Sequence, residues 1–267
     1  MNRRDFIRGV ATAAAFTAFG VPHRARAIGE RSKFTAAALV YDGAWNPRPT
    51  ALRRLLFEIG HRTAIAAAFE PEQTDLRSAS LFEHPFLYWS GAGAFNPLDE
   101  KDVVRLRRYV AAGGFVLADS AQDSGDGGVT PSRQKFLDAV GDDFAAGVRR
   151  EVARAFPAAP LTMLPPDHVV YKSFYMLKGA TGRIARSDRL EGAVVDGRTA
   201  VILSVDDLGG AWARDSLGNW EHMVSPGGEA QRELAFRLGV NIAMYALCVD
   251  YKDDQVHLPF ILKRRKR

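Results

Sequence analysis

The strongest constraint on the fold is an alternation, between residues 33 and 147, of short apolar runs with segments of helical period. Phe34–Tyr41 is an apolar run suited to a strand buried on both faces, and Pro49–Ile59 follows with Leu52, Leu55, Leu56 and Ile59 at helical spacing. Further apolar runs occur at Thr63–Phe69, Pro85–Ser90 and Phe115–Asp119. Between the last two, Leu98–Ala112 carries Val103, Val104, Leu106, Tyr109 and Val110 on one stripe and stops at Gly113-Gly114, as helices commonly do. Pro131–Val140 reads as the start of another helix. Strands joined by helices of this length pair in parallel and require helices on both sheet faces.

The second half is less regular. Val148–Pro166 contains four prolines and reads as a mixture of short pieces, followed by a Tyr-, Phe- and Val-rich stretch from Val169 to Leu177. Leu190–Val195 and Thr199–Val205 flank Asp196-Gly197, a two-residue hairpin signal. Gly227–Cys248 reads as a final long helix. The expectation is one α/β domain, mostly parallel, with an antiparallel edge. The lone Cys248 cannot form an intramolecular disulfide, so the fold must rest on its core, and the helical pattern places that thiol as a buried packing residue.

The N-terminus carries a different kind of information. Asn2-Arg3-Arg4-Asp5-Phe6-Ile7-Arg8 and the apolar run Gly9–Val21 look like a twin-arginine signal, which exports folded proteins toward the periplasm. A membrane anchor is the rival reading, but the run has thirteen residues where a spanning helix needs ~20. Ala25-x-Ala27 fits a cleavage site, giving a signal peptide at 1–27, a body at 28–250 and a C-terminal extension at 251–267. Removing residues 1–27, with five Arg and one Asp, lowers the formal charge from +5 to +1. Because Lys263-Arg264-Arg265-Lys266-Arg267 holds five positive charges, the rest of the mature chain is near −4. The basic character is thus local. It suits weak contact with an anionic membrane surface and gives no reason to expect nucleic-acid binding.

Candidate chemistry gathers where the inferred strands end. Ser90-Gly91-Ala92-Gly93 follows one strand and could offer backbone N–H groups to an anion; Asp119-Ser120 ends the next, and Asp206-Asp207 follows the hairpin. Ligands of open α/β sheets settle outside the carboxyl ends of the strands, so Ser90, Asp119, Ser120, Asp206 and Asp207 are expected to converge if the second hairpin strand is the parallel one. The histidines lack zinc-site spacing, and no metal or cofactor is expected. His168, beside Asp167, is the preferred functional histidine. Trp212 and Trp220 flank Arg214 and Asp215 in a loop suited to clamping a sugar ring or a partner, and Asp123–Gly128 has the composition of a lid or a solvated loop.

Several segments together carry a family resemblance: Pro85-Phe86-Leu87-Tyr88-Trp89-Ser90-Gly91-Ala92-Gly93, Glu100 through Asp119, Asp167-His168 with Tyr171 and Ser173-Phe174-Tyr175, Leu190-Glu191-Gly192, Asp206-Asp207-Leu208-Gly209, and Gly239-Val240-Asn241-Ile242 with Tyr245. The chain resembles, over roughly residues 33 to 250, an uncharacterised family of exported bacterial domains with a class I glutamine amidotransferase-like fold. The resemblance implies a flavodoxin-like three-layer sandwich. It implies no thiol chemistry, since no Cys lies on a strand-to-helix turn, and where related members carry His between the two glycines this chain has Ala92.

Three functions are compatible with these residues. The leading expectation is a non-catalytic ligand-binding or assembly domain of the cell envelope, taking a small polar ligand at Ser90, Gly91, Gly93, Ser120 and Trp212, or an envelope protein partner. A hydrolase acting on a saccharide through His168, Asp119, Asp206 or Asp207 is the second, and a peripheral membrane component held by the basic tail is the third. Convergence of His168 with the aspartates would favour hydrolysis, whereas separate, individually capped side chains would favour binding.

Overall fold

Seven strands form one mixed sheet in the order β2-β1-β3-β4-β7-β6-β5, built from β1 (Ala36–Leu39), β2 (Glu72–Thr74), β3 (Phe86–Gly91), β4 (Phe115–Ser120), β5 (Thr162–Met163), β6 (Glu191–Val195) and β7 (Arg198–Ser204). β2, β1, β3, β4 and β7 are mutually parallel, while β6 and β5 extend the sheet antiparallel. The parallel part therefore has the 2-1-3-4-5 order of flavodoxin-like folds, whose ligand crevice lies at the point where strand order reverses. Here that point falls between β1 and β3. The structure is a computed structural model describing residues 33–121 and 143–264, with side chains described up to Cys248. The expected helix at Pro131–Val140 and the Asp123–Gly128 loop lie outside those residues.

The helices cover both faces. On one face, α1 (Ala51–Arg62), α4 (Leu208–Trp212) and α5 (Gly228–Arg264) share a core with the alternate strand residues Phe86, Tyr88, Phe115, Leu117 and Ile202. On the other, α2 (Glu100–Ala111) and α3 (Asp143–Ala155) pack on Leu87, Trp89, Val116, Ala118, Val201 and Leu203. β3 and β4 are buried throughout, so their residues are apolar on both faces up to Trp89 and Ala118, and the polar Ser90, Asp119 and Ser120 come only at their carboxyl ends. α2 starts where Asp99 accepts the Asp102 N–H at 2.9 Å, and its stripe Val103, Leu106, Tyr109 and Val110 faces the sheet. The β6–β7 hairpin turns through Asp196 (φ 49°) and Gly197 (φ 78°), the positive-φ pair of a tight hairpin turn.

Three expectations are corrected. The run Thr63–Phe69 makes only an isolated bridge from Ala67 to Phe34, and the pairing strand is the polar Glu72–Thr74. An edge strand has one open side and two of its three residues are exposed, so it needs no apolar run. Val148–Pro166 begins inside the continuous helix α3, whose Phe144, Val148 and Val152 form a buried stripe. Cys248 is exposed rather than buried: α5 makes its last deep contact near Tyr245, which pairs with the start of β7, and the next turn has run past the sheet.

Candidate functional site

β7 is the parallel member of the hairpin, so the carboxyl ends of β3, β4 and β7 lie at one edge, and Ser90, Asp119 and Ser204 stand in register across it. All three are buried, as are Ser120, Asp206 and Asp207. The predicted convergence of strand-end residues therefore occurs in space, but beneath the surface.

Each aspartate there is engaged. Asp119 Oδ1 accepts the Leu208 N–H at 2.9 Å, and Oδ2 accepts the Gly209 N–H and the Tyr88 hydroxyl, both at 2.7 Å. It thereby holds the first turn of α4 against β4. Asp207 adopts a left-handed conformation (φ 53°, ψ 63°), which Asp tolerates better than most residues because its short side chain can bond locally. Its Oδ1 accepts the Gly210 N–H at 2.9 Å and Arg48 Nε at 3.2 Å, while Oδ2 accepts Arg48 Nη2 at 2.8 Å and Arg183 Nε. Asp206 Oδ1 accepts the N–H groups of Arg186 (2.8 Å) and Ser187 (3.0 Å). The backbone N–H groups of Arg183 and Ile184 meanwhile donate to the carbonyls of Asp207 and Asp206. Segment 183–187 is thus laced to the strand exit, with no room for a Cβ at Gly182 against the Asp206 carbonyl.

Burial and neighbours divide the three carboxyls. Burial pushes Asp119 up to about 6, with the neighbouring Asp207 charge adding to the shift. Burial likewise pushes Asp206 up to about 7. Asp207 is equally desolvated, but the Arg48 and Arg183 guanidinium groups override that and hold it below the usual carboxylate range.

The remaining candidates separate from this group. His168 caps the Val169–Lys172 turn by accepting the Val170 N–H on Nδ1 at 3.2 Å, with Nε2 3.1 Å from Thr199 Oγ1. Thr199 opens β7 whereas Ser204 ends it, so His168 belongs to the opposite edge of the sheet from Asp119. Trp212 is fully buried with its indole N–H on the Ala235 carbonyl at 3.0 Å, and presents no face to a ligand. Trp220 is covered by the guanidinium groups of Arg214 (3.7 Å) and Arg232 (4.2 Å), so the expected aromatic clamp is already filled by the protein's own cations. Gly91 lies where a Cβ would overlap the Tyr41 hydroxyl and the Phe144 ring. The Ala92 N–H is taken by the Ala44 carbonyl at 3.2 Å, and only Gly93 (φ 75°) borders open space.

An open cleft of ≈ 310 Å³ lies outside the carboxyl ends of β1 and β2 and beside the loop after β3. Val40, Tyr41, Leu76, Pro97 and Leu98 give it apolar walls. Asn96 Nδ2 donates to Asp42 Oδ2 at 3.1 Å, joining the loops after β3 and β1, and both residues are exposed. Asp75, Asp99 and Asp102 also line it, with Arg77 as the one cationic lining residue, clamped by Asp102 at 2.8 and 3.0 Å and by Asp99. Among the described residues no group of three His, Cys, Asp or Glu is arranged to hold a metal ion.

Sequence reasoning missed Arg48, Arg183 and Tyr88. Arg48 follows β1 at the switch point, which was a positional hint; nothing local marks Arg183. A family model described as a domain of unknown function (DUF4159) matches residues 35–247, and the chain belongs to that family. A comparison with curated proteins finds no match.

Proposed function

We propose that this family member is an exported envelope domain, with a class I glutamine amidotransferase-like variant of the flavodoxin-like fold, that binds a small polar ligand without transforming it. The single observation carrying this reading is that the strand-end aspartates are buried and engaged within their own chain. Asp119 and Asp207 accept backbone N–H, tyrosine or arginine donors of their own chain on both oxygens, and Asp206 accepts two backbone N–H groups on Oδ1. A hydrolase would need one of them open to substrate for proton exchange, and all three are buried. The ligand then occupies the cleft at the β1/β3 switch point, the usual place for one in such a sheet.

Chemistry narrows the ligand. The cleft has four carboxylates against one arginine, and the start of α2, where an anion would otherwise settle, already holds the Asp99 carboxylate. It therefore rejects phosphates and favours a neutral polyhydroxyl or cationic molecule, with Asp42 and Asn96 supplying acceptors and the apolar wall seating its carbon face.

Thermal denaturation of residues 28–267 with panels of saccharides, polyols, amines and phosphates tests this, since a ligand at 100 times its Kd stabilises the fold by about 2.7 kcal/mol. The expected outcome is a shift from a neutral or cationic compound that disappears in Asp42→Ala with Asn96→Ala while the unliganded melting temperature stays put. A phosphate-induced shift, or one that survives the double substitution, contradicts the assignment. For export, Arg3→Lys with Arg4→Lys is expected to leave full-length precursor in the cytoplasm, and normal processing of that variant in the periplasm would remove the twin-arginine reading.

A further inference from the structure

The segment after the Val169–Lys172 turn alternates in exposure. Tyr175 and Leu177 are partly buried against the core shared by α1, α4 and α5. Asn241 of α5 fixes the backbone there: its Oδ1 accepts the N–H groups of Phe174 (3.1 Å) and Tyr175 (2.7 Å), and its Nδ2 donates to the Tyr175 carbonyl at 2.8 Å. The intervening residues Lys172, Phe174, Met176 and Lys178 are all exposed. Phe174 is 44% and Met176 78% accessible, large values for apolar side chains on an anchored backbone. No acidic residue occurs between Val169 and Ala180.

Two apolar side chains held outward between two lysines have the chemistry of a membrane-interface contact. The apolar groups enter the boundary between headgroups and acyl chains, and the ammonium groups meet anionic headgroups. A soluble polyanion would be satisfied by the lysines alone and would leave Phe174 and Met176 in water. Charge distribution points the same way. The mature chain without residues 263–267 is near −4, so attraction to an anionic surface must be local, and Lys263-Arg264-Arg265-Lys266-Arg267 supplies five further cations in the sequence. Lasting attachment of a soluble domain takes two such signals.

We propose that residues 172–178 dock this domain on an anionic phospholipid bilayer, with the basic residues 263–267, whose side chains lie outside those described, as a second cationic signal in the sequence. The reading is independent of the cleft and its ligand. Flotation of residues 28–267 with zwitterionic vesicles, with and without phosphatidylglycerol, tests it. Binding is expected only with the anionic lipid and should weaken with salt. Lys172→Gln with Lys178→Gln should lower affinity by about fivefold per lysine, roughly 25-fold for the pair. Phe174→Ser with Met176→Ser should weaken binding at high salt as well as low. All four side chains are exposed, so melting temperatures should match the parent. Equal or absent binding to both vesicle types overturns the proposal, as does a Phe174→Ser, Met176→Ser protein that binds like the parent, which would mean that the cations meet any polyanion. A protein lacking residues 263–267 should bind more weakly yet keep its sensitivity to the Phe174 and Met176 changes; insensitivity there would also overturn it.

Discussion

Asp206 and Asp207 are neighbours in sequence and both buried, yet their proton affinities move in opposite directions: burial dominates at Asp206, whose Oδ1 accepts two backbone amides, whereas two guanidinium groups bonded to Asp207 override its burial. For Asp207, ionisation is favoured by folding, so its contribution is present above the unfolded pKa near 4 and is lost on acidification. For Asp206, raised to about 7, the folded chain keeps a proton that the unfolded chain has released. Its contribution is therefore greatest below about pH 4 and declines as pH rises toward 7. Asp206→Asn keeps an oxygen for the Arg186 and Ser187 N–H groups and removes the titration. Urea unfolding should then show a smaller loss of stability between pH 4 and pH 7, by on the order of 2–4 kcal/mol, with Asp119 leaving a residual slope of the same sign. An unchanged pH profile in the variant would show that Asp206 ionises normally within the fold.

At the scale of elements, β3, β4 and the β6–β7 hairpin were legible because strands buried on both faces must be written in continuous apolar residues, and because Asp196-Gly197 is a turn with a mechanism. β2 was misplaced for the converse reason. As an exposed edge of three residues it needs only backbone pairing, which leaves no hydrophobic trace. α3 was hidden by Arg149, Arg150 and Glu151 and by the nearby prolines, although its buried stripe is regular. The convergence of Asp119 with Asp206 could be foreseen from topology alone. The side-chain partners that occupy this edge could not, since Arg48 meets Asp207 across 159 residues of sequence. Gly91 illustrates how a candidate changes meaning. Suggested as part of an anion-binding turn, it sits where Tyr41 and Phe144 exclude a side chain. Gly91→Ala should destabilise the fold by about 1–3 kcal/mol through overpacking. A variant of full stability that fails to bind ligand would instead place the Gly91 backbone in the binding site.

On the scale of the whole molecule, the described chain divides its polar residues by depth. The inner set, Tyr88, Asp119, Asp206, Asp207, Arg48 and Arg183, fastens α4 and segment 183–187 to the carboxyl edge of the sheet; the outer set around Asp42 and Asn96 borders the open cleft. If the inner set is structural, losing one of its charges must cost stability. Equilibrium urea unfolding of Asp207→Asn against the parent chain measures this directly. Removing that charge leaves Arg48 and Arg183 facing each other beside a neutral amide in a buried setting, and the predicted loss is about 3–5 kcal/mol. A variant within about 1 kcal/mol of the parent would contradict the account, because a carboxylate that can be neutralised so cheaply is not holding the fold.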